Sequence, residues 1–393
     1  MSNSTLTKDA NILNAVTGYA EAVAGKAELE RTGSDFQQER GRVRRTVEGI
    51  HPKRLNLRVD GVRTDTRTTG TLRLVSADDR PLPPFQAGQY VNLFVNIDGV
   101  ETARPYAISS SPAERAYYDL TVKRVETGFV SPFLLDRVAV GETLQSTGPM
   151  GTFHHNPLFH GNELVFFAGG SGICPAISML KYTLEFLPDA RFHIFYSNSF
   201  EDDVIFGEEL RRLEAAHANF TLTEIVSRPG PDYTGLRGHV TLDLVRSLLQ
   251  DPEGKMYYIC GPTPFNDHCK NLLTDLGVNS RRVIVEGNGP PKMPERLPGW
   301  PADVAPDHKV TVSVKGGGSF QTEAGEPLLN SLERNGYTTE NACRSGECSL
   351  CRVKVCKGET FSPPESLIRK SDRKFGRVHS CVAFPTTDVE IQL

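Results

Sequence analysis

The sequence predicts a multidomain protein: a helical N-terminal extension, an antiparallel β-barrel, an α/β domain with a parallel sheet, and a small C-terminal α+β domain of β-grasp type. Three observations carry this. The chain has 393 residues at 38% hydrophobic content, enough for two or three separate cores and too much for one ordinary domain. Its hydrophobic period changes along the chain, from helical, to alternating, to strand followed by helix, and then to short strands again. An aperiodic proline-rich stretch sets the last domain apart.

Residues 1–50 read as helix and linker, because Ile12, Val16, Tyr19 and Val23 recur at helical spacing before "RTGSD" breaks the pattern. The basic run "RGRVRR" that follows reads as a solvated face of an extension packing on its own protein. Residues 51–158 hold short alternating runs such as "TLRLVSA", "QYVNLFVNI" and "YYDLTVKRV", divided by Gly, Pro and Asp turns, which is the barrel. Residues 159–286 alternate strand ("ELVFFA", "RFHIFYSN", "FTLTEIVS", "MYYICG") with helix ("AISMLKYTLEFL", "GEELRRLEAAH", "VTLDLVRSLL"), the signature of a parallel sheet covered on both faces. Residues 287–306 contain the six-proline stretch up to Pro306 and read as a semi-rigid linker. Residues 307–393 open on "KVTVSV", offer one short helix in "PLLNSLERNG" and close on "DVEIQL".

A net charge of -4 creates no basic field, and no stretch approaches a membrane-spanning apolar run or a secretory leader. The expectation is a cytoplasmic protein that binds neither nucleic acid nor membrane. Clustered cysteines in a reducing compartment point to metal or redox chemistry more than to disulfides.

Such a cluster exists. Cys343, Cys348 and Cys351 give C-x4-C-x2-C, and Cys381 follows after 29 intervening residues. That spacing suits a plant-type [2Fe-2S] centre, in which two irons bridged by sulfide need four thiolates, three from a tight loop and one from a distant strand. A zinc site is the alternative, although zinc favours paired C-x2-C units on separate knuckles. Cys356 lies outside the pattern and reads as a packed thiol.

Two further motifs carry chemistry. In "ARPYAISSSP", an Arg beside a Tyr offers a phosphate-pairing guanidinium and a flat ring for stacking. In "LVFFAGGSGICPAISML", Gly169, Gly170 and Gly172 lie between a strand and a helix, where small residues let a dinucleotide approach the backbone. A plain strand–helix turn is the bland reading of those glycines.

Residues 307–393 resemble plant-type ferredoxin domains, and residues 52–393 resemble the ferredoxin-NADP reductase superfamily, specifically the oxygenase reductases with a C-terminal [2Fe-2S] domain. The resemblance implies roles. Arg104, Pro105, Tyr106, Ala107 and Ser109 would lie against flavin, with Ala107 standing where the family has a serine near the flavin N5. Lys123 and the loop Gly128, Phe129, Val130 and Ser131 would complete the flavin site, the loop resembling the family's pyrophosphate loop. "GPMGTF" at 148–153 resembles the FAD members, so FAD is expected, with FMN possible. Gly169, Gly170, Gly172, Cys260, Gly261 and Pro262 would hold the nucleotide, with Cys260 and Tyr106 at the reacting rings. The loop "YSNSFEDDVIFGEEL" has three acids and no Arg or Lys, so NADH is expected over NADPH. "VIVEGNG" lacks the family's aromatic flavin cap after the glutamate.

The implied function is an NADH-dependent reductase passing electrons through flavin and [2Fe-2S] to a redox partner protein. Flavin is needed because nicotinamide gives a hydride while the cluster takes single electrons. The partner implied is the oxygenase component of a Rieske-type or related system. A corrinoid or other non-oxygenase acceptor, or a redox sensor without turnover, is the alternative.

Overall fold

The computed structural model describes residues 18–32, 42–126, 128–287 and 289–393. They divide into two units at Pro52. In the first unit, α1 (Tyr19–Thr32) is exposed along nearly all its length, with Tyr19 and Val23 one turn apart. The second helix, α2 (Arg42–Ile50), spaces Val43, Val47 and Ile50 on one exposed stripe, and Arg44 reaches Glu48 one turn on at 2.7 Å. Ile12 and Val16 lie outside the described residues.

The second unit begins with strands β1 (Leu55–Thr66), β2 (Thr69–Ser76), β3 (Tyr90–Ile97), β4 (Val100–Ala107), β5 (Tyr117–Lys123) and β6 (Thr143–Ser146). They lie in the order β4-β3-β6-β1-β2-β5, antiparallel throughout, and a bridge between Ile108 and Leu120 closes the sheet on itself. Asp98 and Gly99 both have positive φ, the turn that suits the twist of a two-residue hairpin between β3 and β4. Alternate residues such as Leu72 and Leu74, or Val91 and Leu93, point inward, and α3 (Val130–Asp136) closes the barrel with Val130 and Leu134.

A single turn, α4 (Pro157–His160), leads to a six-stranded parallel sheet: β7 (Glu163–Gly169), β8 (Arg191–Asn198), β9 (Phe220–Val226), β10 (Leu236–Arg237), β11 (Met256–Cys260) and β12 (Val283–Glu286), in the order β10-β9-β8-β7-β11-β12. Helices α5 (Ile173–Phe186) and α6 (Gly207–Ala216) cover one face, packing Ile177 and Leu210 on Phe166 and Ile194. Helices α7 (Leu242–Leu248) and α8 (Thr263–Asp275) cover the other, packing Val245 and Leu272 on Val165 and Phe167. Burial on both sides explains why "ELVFFA" is continuously apolar. Chain order reverses between β7 and β11, and a cleft at the carboxyl ends of strands forms at such a reversal.

The last domain holds β13 (Lys309–Val314), β14 (Ser319–Glu323), α9 (Leu328–Arg334), β15 (Arg352–Lys357), β16 (Thr360–Phe361), α10 (Lys370–Lys374), β17 (Arg377–His379), β18 (Phe384–Pro385) and β19 (Val389–Gln392). Its main sheet runs β14-β13-β19-β15-β17, with β13 and β19 parallel at the centre and α9 packing Leu328 and Leu332 onto Val312, Val353 and Ile391. The proline-rich segment is fastened to this domain. Trp300 stands edge-on to Phe361 at 5.3 Å and Phe384 at 6.2 Å and donates its indole N–H to the Val304 carbonyl at 2.8 Å. No helix among the described residues is long and apolar enough to cross a membrane.

Candidate active site

A cavity of about 160 Å³ opens where barrel, parallel sheet and cysteine loop meet. The barrel contributes Tyr90, Pro105, Tyr106, Ala107, Thr121 and Lys123. The α/β domain adds Ser171, Cys174, Pro175, Cys260, Glu286 and Gly287, and the cysteine loop adds Cys343, Ser345 and Glu347.

Pairing of β3 with β4 sets Tyr90 opposite Ala107 and Val91 opposite Tyr106. Burial pushes the Tyr106 phenol up, against the pull of Arg104 and Arg344, so it presents a neutral ring. Gly151 lies against the Tyr90 ring, where a Cβ would sit 2.8 Å from Cε1. Ser109 does not replace the hydroxyl missing at Ala107. It is buried, with Oγ donating to the Asp119 carbonyl at 3.0 Å and sharing a hydrogen bond with Thr121 at 3.0 Å. The hydroxyls at the cavity belong to Thr121 and Ser171. Lys123 pairs with Asp203 at 2.7 Å. Burial opposes the Asp203 carboxylate, but Lys123, Thr66 and Thr68 hold it below the usual range.

Arg104 lies outside the cavity wall. Its Nη1 donates to Thr102 Oγ1 at 2.7 Å and the Ala103 carbonyl at 2.8 Å, and stands 3.9 Å from Glu333 of α9. The Gly128–Ser131 loop is also apart from the cavity: Val130 and Ser131 are buried, Phe129 is exposed, and Ser131 Oγ accepts the Val125 N–H at 2.9 Å. Gly128 has no room for a side chain, since a Cβ would lie 2.9 Å from Val125.

The glycines of the strand–helix turn have separate reasons. A Cβ on Gly172 would lie 1.9 Å from the Cys260 carbonyl, so α5 begins in direct backbone contact with the end of β11. Gly169 and Gly261 crowd Phe265 and each other. Gly170 has φ +54 and nothing within 4 Å of its Cβ position. Cys260 is buried, its thiol raised first by burial, and it faces the cavity while Pro262 opens α8.

Gly287 fills the place of the absent aromatic cap. A Cβ there would stand 3.0 Å from Ser345 Cβ, and Glu347 accepts the Gly287 N–H, so the cysteine loop occupies that space. Burial first, then Glu347 and Cys343, raises the Glu286 carboxyl well above its ordinary range. Burial and Cys343 likewise raise Glu347.

The cysteine loop winds through positive φ at Arg344, Gly346 and Ser349. The N–H groups of Ser345, Glu347 and Cys348 turn onto Cys343 Sγ at 3.4, 3.4 and 3.3 Å. Gly346 is obligatory, because a Cβ would meet Val382 at 2.7 Å. Its carbonyl accepts from His379 Nδ1 at 2.8 Å and from the Leu367 N–H at 3.2 Å. The four thiols are free and hydrogen-bonded together, Cys343 with Cys348 and Cys351 with Cys381, the two pairs joined through Cys343 and Cys381. Two adjacent thiol pairs with amides aimed at sulfur fit a two-iron centre.

A barrel, a parallel sheet and a cysteine-bearing domain sharing one cavity define a flavin-dependent electron-transfer reductase that carries its own iron–sulfur module. The comparisons agree. Residues 65–155 match an oxidoreductase FAD-binding domain, 166–271 an oxidoreductase NAD-binding domain and 312–386 a 2Fe-2S iron-sulfur cluster binding domain. The glycine betaine monooxygenase reductase subunit of Pseudomonas aeruginosa is 30% identical over 327 residues, 80% of this chain and 89% of that protein. The ferredoxin reductase component of 3-ketosteroid-9-alpha-monooxygenase from Rhodococcus rhodochrous is 29% identical over 87% of this chain and 98% of its own length. The structure of phthalate dioxygenase reductase shares the fold at TM-score 0.64 and 22% identity, covering 86% of this chain and 98% of that one. The chain belongs to the ferredoxin-NADP reductase superfamily, among the reductases with a C-terminal [2Fe-2S] ferredoxin domain. It is an NAD(P)H oxidoreductase that binds FAD, NADH and [2Fe-2S].

The sequence motifs led to Tyr106, Ala107, Lys123, Cys260 and Cys343 at the cavity. They missed Tyr90, Thr121, Cys174, Glu286, Ser345 and Glu347. Only Glu286 stood in a motif. They also missed Arg67 and Arg228, whose guanidinium groups lie 5.0 and 4.7 Å from the Phe200 ring in the loop judged free of cations.

Proposed function

We propose that the chain is the reductase component of an oxygenase system, taking a hydride from NADH and delivering single electrons to a separate iron-containing oxygenase. One observation carries the reading: Cys343 lines the same cavity as Tyr106, Ala107 and Cys260. Relatives named as reductases of glycine betaine monooxygenase, 3-ketosteroid-9-alpha-monooxygenase and phenylacetyl-CoA epoxidase support an oxygenase as acceptor.

When bound, flavin supplies the conversion of a two-electron hydride into single electrons, and the cluster stores one of them. The chain's own residues do the rest. Pro105, Tyr106 and Ala107 supply a flat wall for the ring, and Thr121 and Ser171 supply hydroxyls at its edge. Cys260 and the turn at Gly170 bound the side from which a nicotinamide would approach. Cys343, Cys348, Cys351 and Cys381 would ligate the cluster, and the three amides on Cys343 Sγ would stabilise negative charge there. Buried Glu286 holds its proton beside Cys260.

NADH is favoured because Arg67 is already committed to Asp202 at 3.1 Å and Arg228 to the Phe200 face, leaving no unengaged cation for a 2'-phosphate. An anaerobic titration of the purified protein with NADH tests the reading. Flavin absorbance bleaches and a reduced [2Fe-2S] electron-spin signal grows with it; a bleached flavin with no such signal rejects the route through the cysteine loop.

A further inference from the structure

The cysteine loop has a second side, away from the cavity residue Cys343. The segment "SLIRKSDRKFGR", 366–377, wraps it: the Leu367 N–H reaches the Gly346 carbonyl at 3.2 Å, and β17 pairs His379 with Arg352, the residue after Cys351. Cys381 follows directly, with the Ser380 N–H on the Cys351 carbonyl at 3.0 Å. This segment therefore covers the Cys351–Cys381 side of the thiol set.

Its chemistry is unlike the rest of the domain. Residues 307–393 contain 12 Lys and Arg against 11 Asp and Glu, yet five of those cations fall between Arg369 and Arg377. Arg369, Lys370, Arg373, Lys374 and Arg377 are all exposed, and none makes an ion pair among the described residues. The one acid in the stretch, Asp372, is buried and bonded to Arg352 at 3.2 Å. Among these charges Leu367 and Phe375 stand 63% and 65% exposed, with Leu350 of the cysteine loop 42% exposed. Unpaired like charges held together cost self-repulsion, and large apolar side chains ringed by arginine and lysine are the composition of a protein interface.

We propose that this basic, apolar-centred patch is the docking surface for the electron acceptor, and that the acceptor presents an acidic rim around an apolar contact. The proposal rests on the electron-transfer reading above and assigns its exit: electrons enter beside Cys343 and leave beside Cys351 and Cys381. Charge complementarity selects the occupant, because a patch with five unpaired cations repels a basic partner and steers an acidic one.

The test uses the holoenzyme with two probe acceptors of opposite charge, acidic soluble cytochrome b5 and basic cytochrome c. The variants are Lys370→Glu/Arg373→Glu/Lys374→Glu and the milder Lys370→Gln/Arg373→Gln/Lys374→Gln. Wild-type kcat/KM for cytochrome b5 is expected to fall steeply as ionic strength rises from about 20 to about 300 mM. The Glu variant is expected to lose about tenfold or more of it at low salt, the Gln variant less, while cytochrome c reduction rises. Anaerobic reduction of flavin and cluster by NADH stays at the wild-type rate in both variants. The Gln variant also reports if the Glu variant does not fold. Equal kcat/KM for the two cytochromes, unmoved by either variant, overturns the proposal. So does binding to vesicles of phosphatidylserine that follows the patch charge while cytochrome b5 reduction does not. A cluster that NADH never reduces overturns the electron-transfer reading instead, and the exit assignment with it.

Discussion

Gly172 has ordinary helical φ and still admits no methyl group, since the Cys260 carbonyl oxygen would lie 1.9 Å from its Cβ. Backbone, unlike a side chain, cannot rotate away. Gly172→Ala is therefore expected to push α5 off β11 at a cost of about 3 kcal/mol or more, read as a lowered Tm with loss of NADH-dependent flavin reduction. The glycine pattern was legible in the sequence. Its cause, contact between two strand ends far apart in the chain, was not. The same gap explains the nucleotide loop, where Arg67 arrives from the barrel and Arg228 from beyond β9. Asp202→Ala would free Arg67 from its carboxylate, so the ratio of kcat/KM for NADPH to that for NADH should rise by about three- to tenfold in steady-state assays. An unchanged ratio would show that Arg67 does not reach the ribose.

Elements were read best where both faces or one face of a strand decide its composition, as in "ELVFFA" and the barrel strands. They were read worst where a segment is fixed by a remote partner. The proline-rich segment reads as a spacer, and Trp300 between Phe361 and Phe384 fastens it. The missing aromatic cap reads as a gap, and the cysteine loop fills it over Gly287. Gly287→Phe would restore the ring at the expense of that loop. NADH should still bleach the flavin, while cluster reduction slows by about tenfold or more in anaerobic stopped flow, because the displaced Ser345 and Glu347 separate Cys343 from the cavity. The segment joining barrel to parallel sheet offers a pH test. His155 Nδ1 lies 3.0 Å from the Tyr258 hydroxyl, which also bonds His160, and burial, then His160, pushes His155 down to about 4. The folded imidazole stays neutral while the unfolded one protonates below about 6.5. Stability is thus full above that pH and declines by up to about 3 kcal/mol as pH falls to 4. His155→Gln should flatten this part of the urea-midpoint profile; an equal slope in both proteins would count against it.

At the scale of the molecule, electron transfer requires the cysteine domain to stay on the barrel, and the contacts that hold it there are polar and buried. Asn92 Nδ2 donates to the Asn341 carbonyl at 2.7 Å, and Thr102 Oγ1 donates to Glu333 Oε2 at 2.8 Å. Glu333 also pairs with Arg344, the residue after the first cysteine, and faces Arg104 at 3.9 Å. Burial first, then Arg344, lowers Arg104 to about 10, so both guanidiniums remain charged at neutral pH around a single carboxylate. That balance makes Glu333 the fulcrum of the interface. A buried pair adds little over an apolar replacement, but removing one partner leaves charge uncompensated at about 3–5 kcal/mol, and here two cations would be left facing each other. Glu333→Gln is therefore expected to loosen the cysteine domain rather than unfold the barrel or the parallel sheet. Flavin content and its bleaching by NADH should persist, the cluster should be reduced many times more slowly, and limited proteolysis should cut faster within 287–306. Because the pair is shielded from solvent, added salt should not reproduce the defect in the wild-type protein. A Glu333→Gln protein with normal cluster reduction would mean that the Trp300 clasp and Asn92 suffice to hold the domain, and that the ion pair contributes only to the local fold of the loop.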